Sequence, residues 1–206
     1  MFKNRVEAAK LLLKKLTRFT NHKEVVVLTI PRGGVPIGKV LSDSLNVPMD
    51  LVLSKKIGHP FHKEFAIGAV TFSDIILRPE SAEVPKVYID KETKRIRELL
   101  DQRQKLYYGN RKPIDLTNKI VIITDDGVAT GNTLISCIKL IKKQNPKEII
   151  VALPVSPPGT LKTIKELREV NEVICLLIPD NFFAVGQFYE DFSPVSDNEV
   201  INLLNN

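Results

Sequence analysis

A chain of 206 residues, 43% hydrophobic and with a net charge of +6, is sized for one domain with a sizeable core. No apolar run is long enough to span a bilayer, and no internal repeat or low-complexity tract interrupts the pattern. The charge suits a polyanionic small substrate and also permits nucleic acid, so charge alone does not choose between them.

Phe2, Val6, Ala9, Leu13 and Leu16 recur at helical spacing, with Lys and Arg between them. This predicts an amphipathic helix packed on a sheet. Its basic face is short and lacks Trp, which argues against a membrane role. Lys10, Lys14 and Lys15 break up any secretory signal. Residues 24–30 read as a strand centred on Val25, Val26, Val27 and Leu28. Pro31, Arg32, Gly33 and Gly34 follow, and a helical run occupies 35–45. The glycines permit tight backbone geometry and Arg32 supplies a cation.

Residues 47–54 predict another strand. Residues 55–64 are polar, broken by Gly58 and Pro60, and are expected to form a mobile lid that carries Lys55 and Lys56. His59 and His62 lack a third ligand partner and do not make a metal site. Residues 66–72 and 75–77 read as a β-hairpin turned at Ser73 and Asp74. A long helix is expected over 90–108, with Ile96, Leu99, Leu100 and Leu106 inward and its end at Gly109 and Asn110. The stretch 86–112 holds nine Lys/Arg against four Asp/Glu, which reads as a solvated helix face.

Residues 119–133, KIVIITDDGVATGNT, carry the chemistry. Ile120, Val121, Ile122 and Ile123 form a β-branched run with no polar break, the pattern of a central strand covered on both faces. Asp125 and Asp126 stand at its C-terminal end. Gly127, Val128, Ala129, Thr130, Gly131, Asn132 and Thr133 follow, small and rich in hydroxyls, before a helical period begins near Gly131. A helix N-terminus there would aim unpaired N–H groups at the loop and create an anion site. The spacing fits neither a Walker A loop nor the dinucleotide fingerprint.

This stretch resembles the phosphoribosyl-pyrophosphate motif of type I phosphoribosyltransferases: apolar strand, two acids, small residues, then Thr-Gly-x-Thr. The resemblance implies that Asp125 and Asp126 hold the ribose hydroxyls and that Ala129 to Thr133 take the 5′-phosphate, with Gly127 and Val128 also in the substrate-binding loop. It implies that Arg32, Gly33 and Gly34 bind pyrophosphate through an unusual peptide geometry, with Lys55 and Lys56 reaching the leaving group. Mg²⁺ would arrive on the substrate, with no ligand directly assigned, and Asp125 and Asp126 could hold it directly or through water. Where purine salvage members usually carry an Asp, this chain has Ala129.

Two further strands are expected over 148–154 and 172–178, with a helix over 157–168 between them. The aromatic tail 179–192 follows, and a closing helix over 196–204 begins at Ser196 with Glu199 completing a capping box. Pro179, Asp180, Asn181, Phe182, Phe183 and Gly186 resemble a purine-transferase hood segment, offset by one residue at the glycine. Phe182 or Phe183 would then stack on a base. Cys137 and Cys175 read as small core residues, so a reducing cytoplasm is the expected compartment.

The expected fold is α/β: a mainly parallel sheet with flanking helices and a small hood from the chain termini. It forms one domain, with its core at about 24–178 and its hood at about 179–206. The resemblance implies phosphoribosyl transfer from phosphoribosyl pyrophosphate to a nitrogenous base or amine, Mg²⁺ as cofactor, and a homodimer. The alternative is a non-catalytic module that senses phosphoribosyl pyrophosphate or a nucleotide and acts on RNA or DNA. A hydrolase finds no support, since there is no G-x-S-x-G.

Overall fold

A computed structural model describes residues 1–206 apart from Glu64, Phe72, Ser73, Asn110 and Asn206. The chain forms α1 (Arg5–Leu16), β1 (Val25–Thr29), α2 (Val35–Leu45), β2 (Met49–Leu51), β3 (Lys55–Gly58), β4 (Ala66–Val70) and β5 (Ile75–Leu77). It continues with α3 (Lys86–Tyr108), β6 (Ile120–Thr124), α4 (Asn132–Lys142), β7 (Glu148–Val155), α5 (Pro158–Lys165), β8 (Glu172–Leu177) and α6 (Asp197–Asn205).

Five strands form a parallel sheet in the order β2-β1-β6-β7-β8. Its central strands are apolar on both faces because both faces are covered. Val25, Val27, Ile120, Ile122, Ile150 and Ala152 pack against α1 and α2. The alternate residues Val26, Leu28, Val121, Ile123, Ile149 and Val151 pack under α4 and α5. The chain leaves β1 toward β2 on one side and returns to β6 on the other, so the strand order reverses between β1 and β6. The loops after these two strands open into one crevice at the carboxyl edge, where α/β sheets bind ligands.

Of the second sheet the sequence predicted the hairpin but not the third strand. β3, β4 and β5 form a three-stranded antiparallel sheet. The hairpin of β4 and β5 matches expectation, although Ser73 of its expected turn lies outside the described residues. Lys55–Gly58, expected to begin a polar lid, is instead strand β3, paired with β4 from Lys55↔Val70 to Gly58↔Ala66. Two lysines conceal a strand whose ladder partner lies further along the chain and whose only large apolar side chain, Ile57, is fully buried. Glu64, the far end of that expected lid, lies outside the described residues. The expected strand over 47–54 shrinks to β2.

Helix α3 begins at Lys86, earlier than expected. Ile96 and Leu100 are buried, but Leu106 is exposed and its place is taken by Tyr107 and Tyr108. Their hydroxyls donate to buried or partly buried carboxylates: Tyr107 to Asp197 Oδ1 and Tyr108 to Asp50 Oδ1, each at 2.5 Å. These contacts tie α3 to α6 and to β2.

Helix α1 also presents a different face. Asn4 caps it by accepting from Glu7 N at 3.1 Å, so the helix starts at Arg5. Ala8, Ala9, Leu12 and Leu16 are inward, while Val6 is exposed. Phe2 precedes the helix and bridges to Tyr189 of the tail, which brings the two ends of the chain together. Helix α6 starts as expected: Ser196 Oγ accepts from Glu199 N at 3.1 Å. Cys137 and Cys175 are free thiols; burial pushes them up to about 12 and about 11.

Candidate active site

The apolar run of β6 delivers Asp125 and Asp126 to the crevice, and β1 delivers Pro31 to Gly34 beside them. The Pro31–Arg32 peptide bond is cis, which is the unusual geometry expected of this loop. Gly33 is packed onto Asp126: a β-carbon there would stand 2.0 Å from Asp126 Oδ2. Arg32 is half exposed and lies 3.7 Å from Asp197 of α6.

After Asp126 the chain turns through Gly127 and Val128, whose N–H donates to Val155 O at 3.0 Å. Gly131, in the left-handed region at φ +74°, starts α4. From Ala129 to Leu134 no backbone N–H donates to another described residue. Such a run of unpaired donors at a helix N-terminus is what an anion cradle would use. Thr160 at the start of α5 braces it by donating to Ala129 O at 2.6 Å. No sequence motif marked Thr160.

Asp125, the loop from Gly127 to Leu134, and Val185 line a concavity of about 280 Å³. Asp126 does not line it. Arg5 Nε and Nη2 both donate to Asp126 Oδ2, at 2.9 and 2.8 Å. Tyr189 closes the same corner by donating to the backbone oxygen of Asp126 at 2.6 Å. Asp125 lines the hollow while Asp126 is held by Arg5, and the two carboxyls remain close enough to act on each other. Burial raises the Asp125 carboxyl well above the ordinary range, and the neighbouring Asp126 charge raises it further. Burial also raises Asp126, but hydrogen bonds and charge from Arg5 pull it back down. Arg5 was invisible to local reasoning because it lies in the first turn of an ordinary amphipathic helix, 121 residues from its partner.

A second hollow of about 260 Å³ adjoins the cradle, lined by Ser54, Lys56, Ala66, Ala69, Thr130, Asn132, Thr133 and Ser136. Strand alternation in β3 sends Lys56 to this hollow and leaves Lys55 off it. Arg78, just beyond β5, donates to Asn132 Oδ1 at 2.7 Å and brings another cation to the cradle's edge. In the tail, Phe182 packs on Phe188 with ring centroids 5.3 Å apart, and Phe183 is 92% exposed. The tail residue that reaches the concavity is Val185.

Among the described residues no group of three or more His, Cys, Asp or Glu could hold a metal ion. The two acids, one of them tied to Arg5, are too few for a protein cage. They suit Mg²⁺ that arrives on substrate phosphates and keeps its waters. No helix is long and apolar enough to cross a membrane among the described residues.

A family model described as the phosphoribosyl transferase domain matches residues 3–193. The chain belongs to that family. A Mycobacterium tuberculosis H37Rv protein, provisionally named a phosphoribosyl transferase, is 33% identical over 213 residues, covering 99% of this chain and 46% of the relative. The chain thus spans about half the length of the curated relatives it matches. A crystal structure of a Thermus thermophilus protein superposes with a TM-score of 0.88 at 33% identity, covering 99% of this chain and 97% of that one. A Ureaplasma parvum protein named uracil phosphoribosyltransferase is 32% identical over 79 residues, 38% of either chain. Within this phosphoribosyl transferase domain, the crevice between β1 and β6 holds both sequence motifs that suggested the family.

Proposed function

We propose that the protein transfers the 5-phosphoribosyl group from phosphoribosyl pyrophosphate to a nitrogenous base or amine. The observation that carries this reading is the run of unpaired amides from Ala129 to Leu134, set beside Asp125 in one concavity. An anion cradle next to a hydroxyl acceptor matches a sugar phosphate better than either an isolated anion or a bare sugar.

In this reading the cradle takes the 5′-phosphate and Asp125 accepts from a ribose hydroxyl, with Asp126 beside it. Arg32 and the loop amides meet the pyrophosphate once Arg32 leaves Asp197, and Lys56 adds charge from β3. Mg²⁺ on the substrate would neutralise part of the pyrophosphate charge. The acceptor's nitrogen lone pair forms the new bond to C1 as the C1–oxygen bond to pyrophosphate breaks, and the pair of electrons leaves with pyrophosphate. The ribosyl group passes through an oxocarbenium-like state. The protein contributes fixed dipoles and charges rather than covalent chemistry. Val185, with Phe182 and Phe183 nearby in the tail, would meet the acceptor.

Pyrophosphate release from phosphoribosyl pyrophosphate and Mg²⁺, screened over pyrimidines, purines and simple amines, tests the reading. The partial likeness to a named uracil enzyme puts uracil first in the panel. Ala129 favours a second reading, in which the domain binds phosphoribosyl pyrophosphate or a nucleotide as a sensor without turnover. Tight binding with no pyrophosphate release from any acceptor would select it.

A further inference from the structure

Arg5 is the feature of the crevice that neither the sequence motifs nor the family match explains. Its side chain is only 11% exposed, and it forms an ion pair with Asp126. All three guanidinium nitrogens are used: Nε and Nη2 on Asp126 Oδ2, and Nη1 on the Ser193 carbonyl at 2.9 Å. The guanidinium also stacks on Phe192, 4.0 Å from the ring centroid. The first turn of α1, the tail and the acidic pair are thus joined by one side chain.

The contact is one-sided in a useful way. An Arg fork facing a carboxylate squarely would engage both oxygens. Here both donors fall on Oδ2, and Gly33 packs closest to the same atom. The Asp126 carboxyl also lies close to the Asp125 carboxyl and to its own N–H, and Oδ1 is not among the buried polar atoms left without a partner. A carboxylate held by one oxygen keeps its orientation and can still accept a hydroxyl at the other. Holding it also lets two adjacent acids coexist in a partly buried corner, because the guanidinium offsets one of the two charges.

We propose that Arg5 is a positioning residue for sugar binding: by gripping Oδ2 it fixes the Asp126 carboxylate beside Asp125, in the orientation from which the pair can accept ribose hydroxyls. This rests on the transferase reading of the crevice. A purely structural Arg5 would tie the chain ends together and leave ligand affinity unchanged in a folded variant.

The test is a double-mutant cycle on affinity for phosphoribosyl pyrophosphate with Mg²⁺, read by calorimetry on proteins with intact thermal unfolding. Arg5→Gln should weaken binding about tenfold, the scale of one charge-assisted hydrogen bond, and Arg5→Lys should recover part of the loss. Adding Arg5→Gln to Asp126→Asn should cost little more than Asp126→Asn alone, because Arg5 acts through that carboxylate. If Arg5→Gln binds as the wild type does, or if the two losses simply multiply, the positioning role is wrong while the transferase reading stands. If the wild type itself fails to bind, the transferase reading falls and this inference falls with it. Should Arg5→Gln not fold, Phe192→Leu removes the stacking surface alone, and a wild-type affinity in that variant together with a wild-type affinity in Arg5→Lys overturns the proposal.

Discussion

Gly33 and Asp126 are packed so closely that a β-carbon on the first would lie 2.0 Å from Oδ2 of the second. The loop after β1 and the acids after β6 form one packed unit, and the contact depends on a residue with no side chain.

Gly33→Ala should therefore displace the Asp126 carboxylate or the loop, at about 1–3 kcal/mol of stability, the usual cost of overpacking. Gly34→Ala should do no better, since its β-carbon would meet the backbone oxygen of Ile30 at 2.8 Å and backbone cannot swing aside. Gly159 in α5 is the control: nothing lies within 4 Å of its β-carbon position. Gly159→Ala should be neutral or stabilise by about 0.5 kcal/mol. Urea unfolding of the three variants gives the ranking, and a Gly33→Ala protein as stable as wild type would contradict the packing argument.

Asp125→Asn should stabilise the protein at neutral pH while removing ligand binding. The folded carboxyl holds its proton to higher pH than the ordinary value of 3.8, chiefly because of burial. Below 3.8 both folded and unfolded states are protonated and no penalty exists. As pH rises through that value, the unfolded chain ionises first and stability is lost up to the raised folded value. An amide avoids the penalty and can still accept from Asp126 N, as Oδ1 does now at 2.9 Å. The gain should be about 1 kcal/mol, or roughly 2–4 °C in Tm, at pH 7.5 and should vanish near pH 4. Calorimetric scans at the two pH values check it.

Thr160→Val removes the hydroxyl that holds the Ala129 carbonyl at 2.6 Å while keeping the shape of the side chain. The cradle should loosen. A lost hydrogen bond of about 1 kcal/mol corresponds to a roughly fivefold weaker affinity for a 5′-phosphate ligand. Titration with a nucleoside 5′-monophosphate measures this, and unchanged affinity would show that α5 does not brace the loop.

Ala129 has no titratable group, and general acid–base help is worth about two to four orders of magnitude in rate. Hypoxanthine and guanine should therefore be slow acceptors. A kcat of about 10 s⁻¹ on either base, the ordinary enzyme level, would contradict this. Ala129→Asp should raise a low purine rate if the missing carboxylate is the cause, and steady-state kinetics on both proteins decide the point.

What could be read in the sequence was local. The run Ile120 to Ile123 announces a strand buried on both faces because β-branched residues on alternate sides need cover on both. Asp125, Asp126 and the loop to Thr133 occupy consecutive positions, so their order alone specifies acids beside a helix N-terminus. Gly33 and Gly34 are legible as a tight turn, and Ala129 as a gap in the motif. Tertiary structure decided the rest, because the remaining contacts join residues whose separation along the chain carries no period. Arg5 meets Asp126 only after α1 has docked on the sheet and the tail has folded back beside it. Lys55 to Gly58 becomes a strand only because β4 offers its edge. The inward face of α1 is set by the helices and strands around it, which bury Leu12 and leave Val6 outside. Sequence spacing states which side chains share a face; it does not state which face finds a partner, since that depends on where the chain's distant segments come to rest.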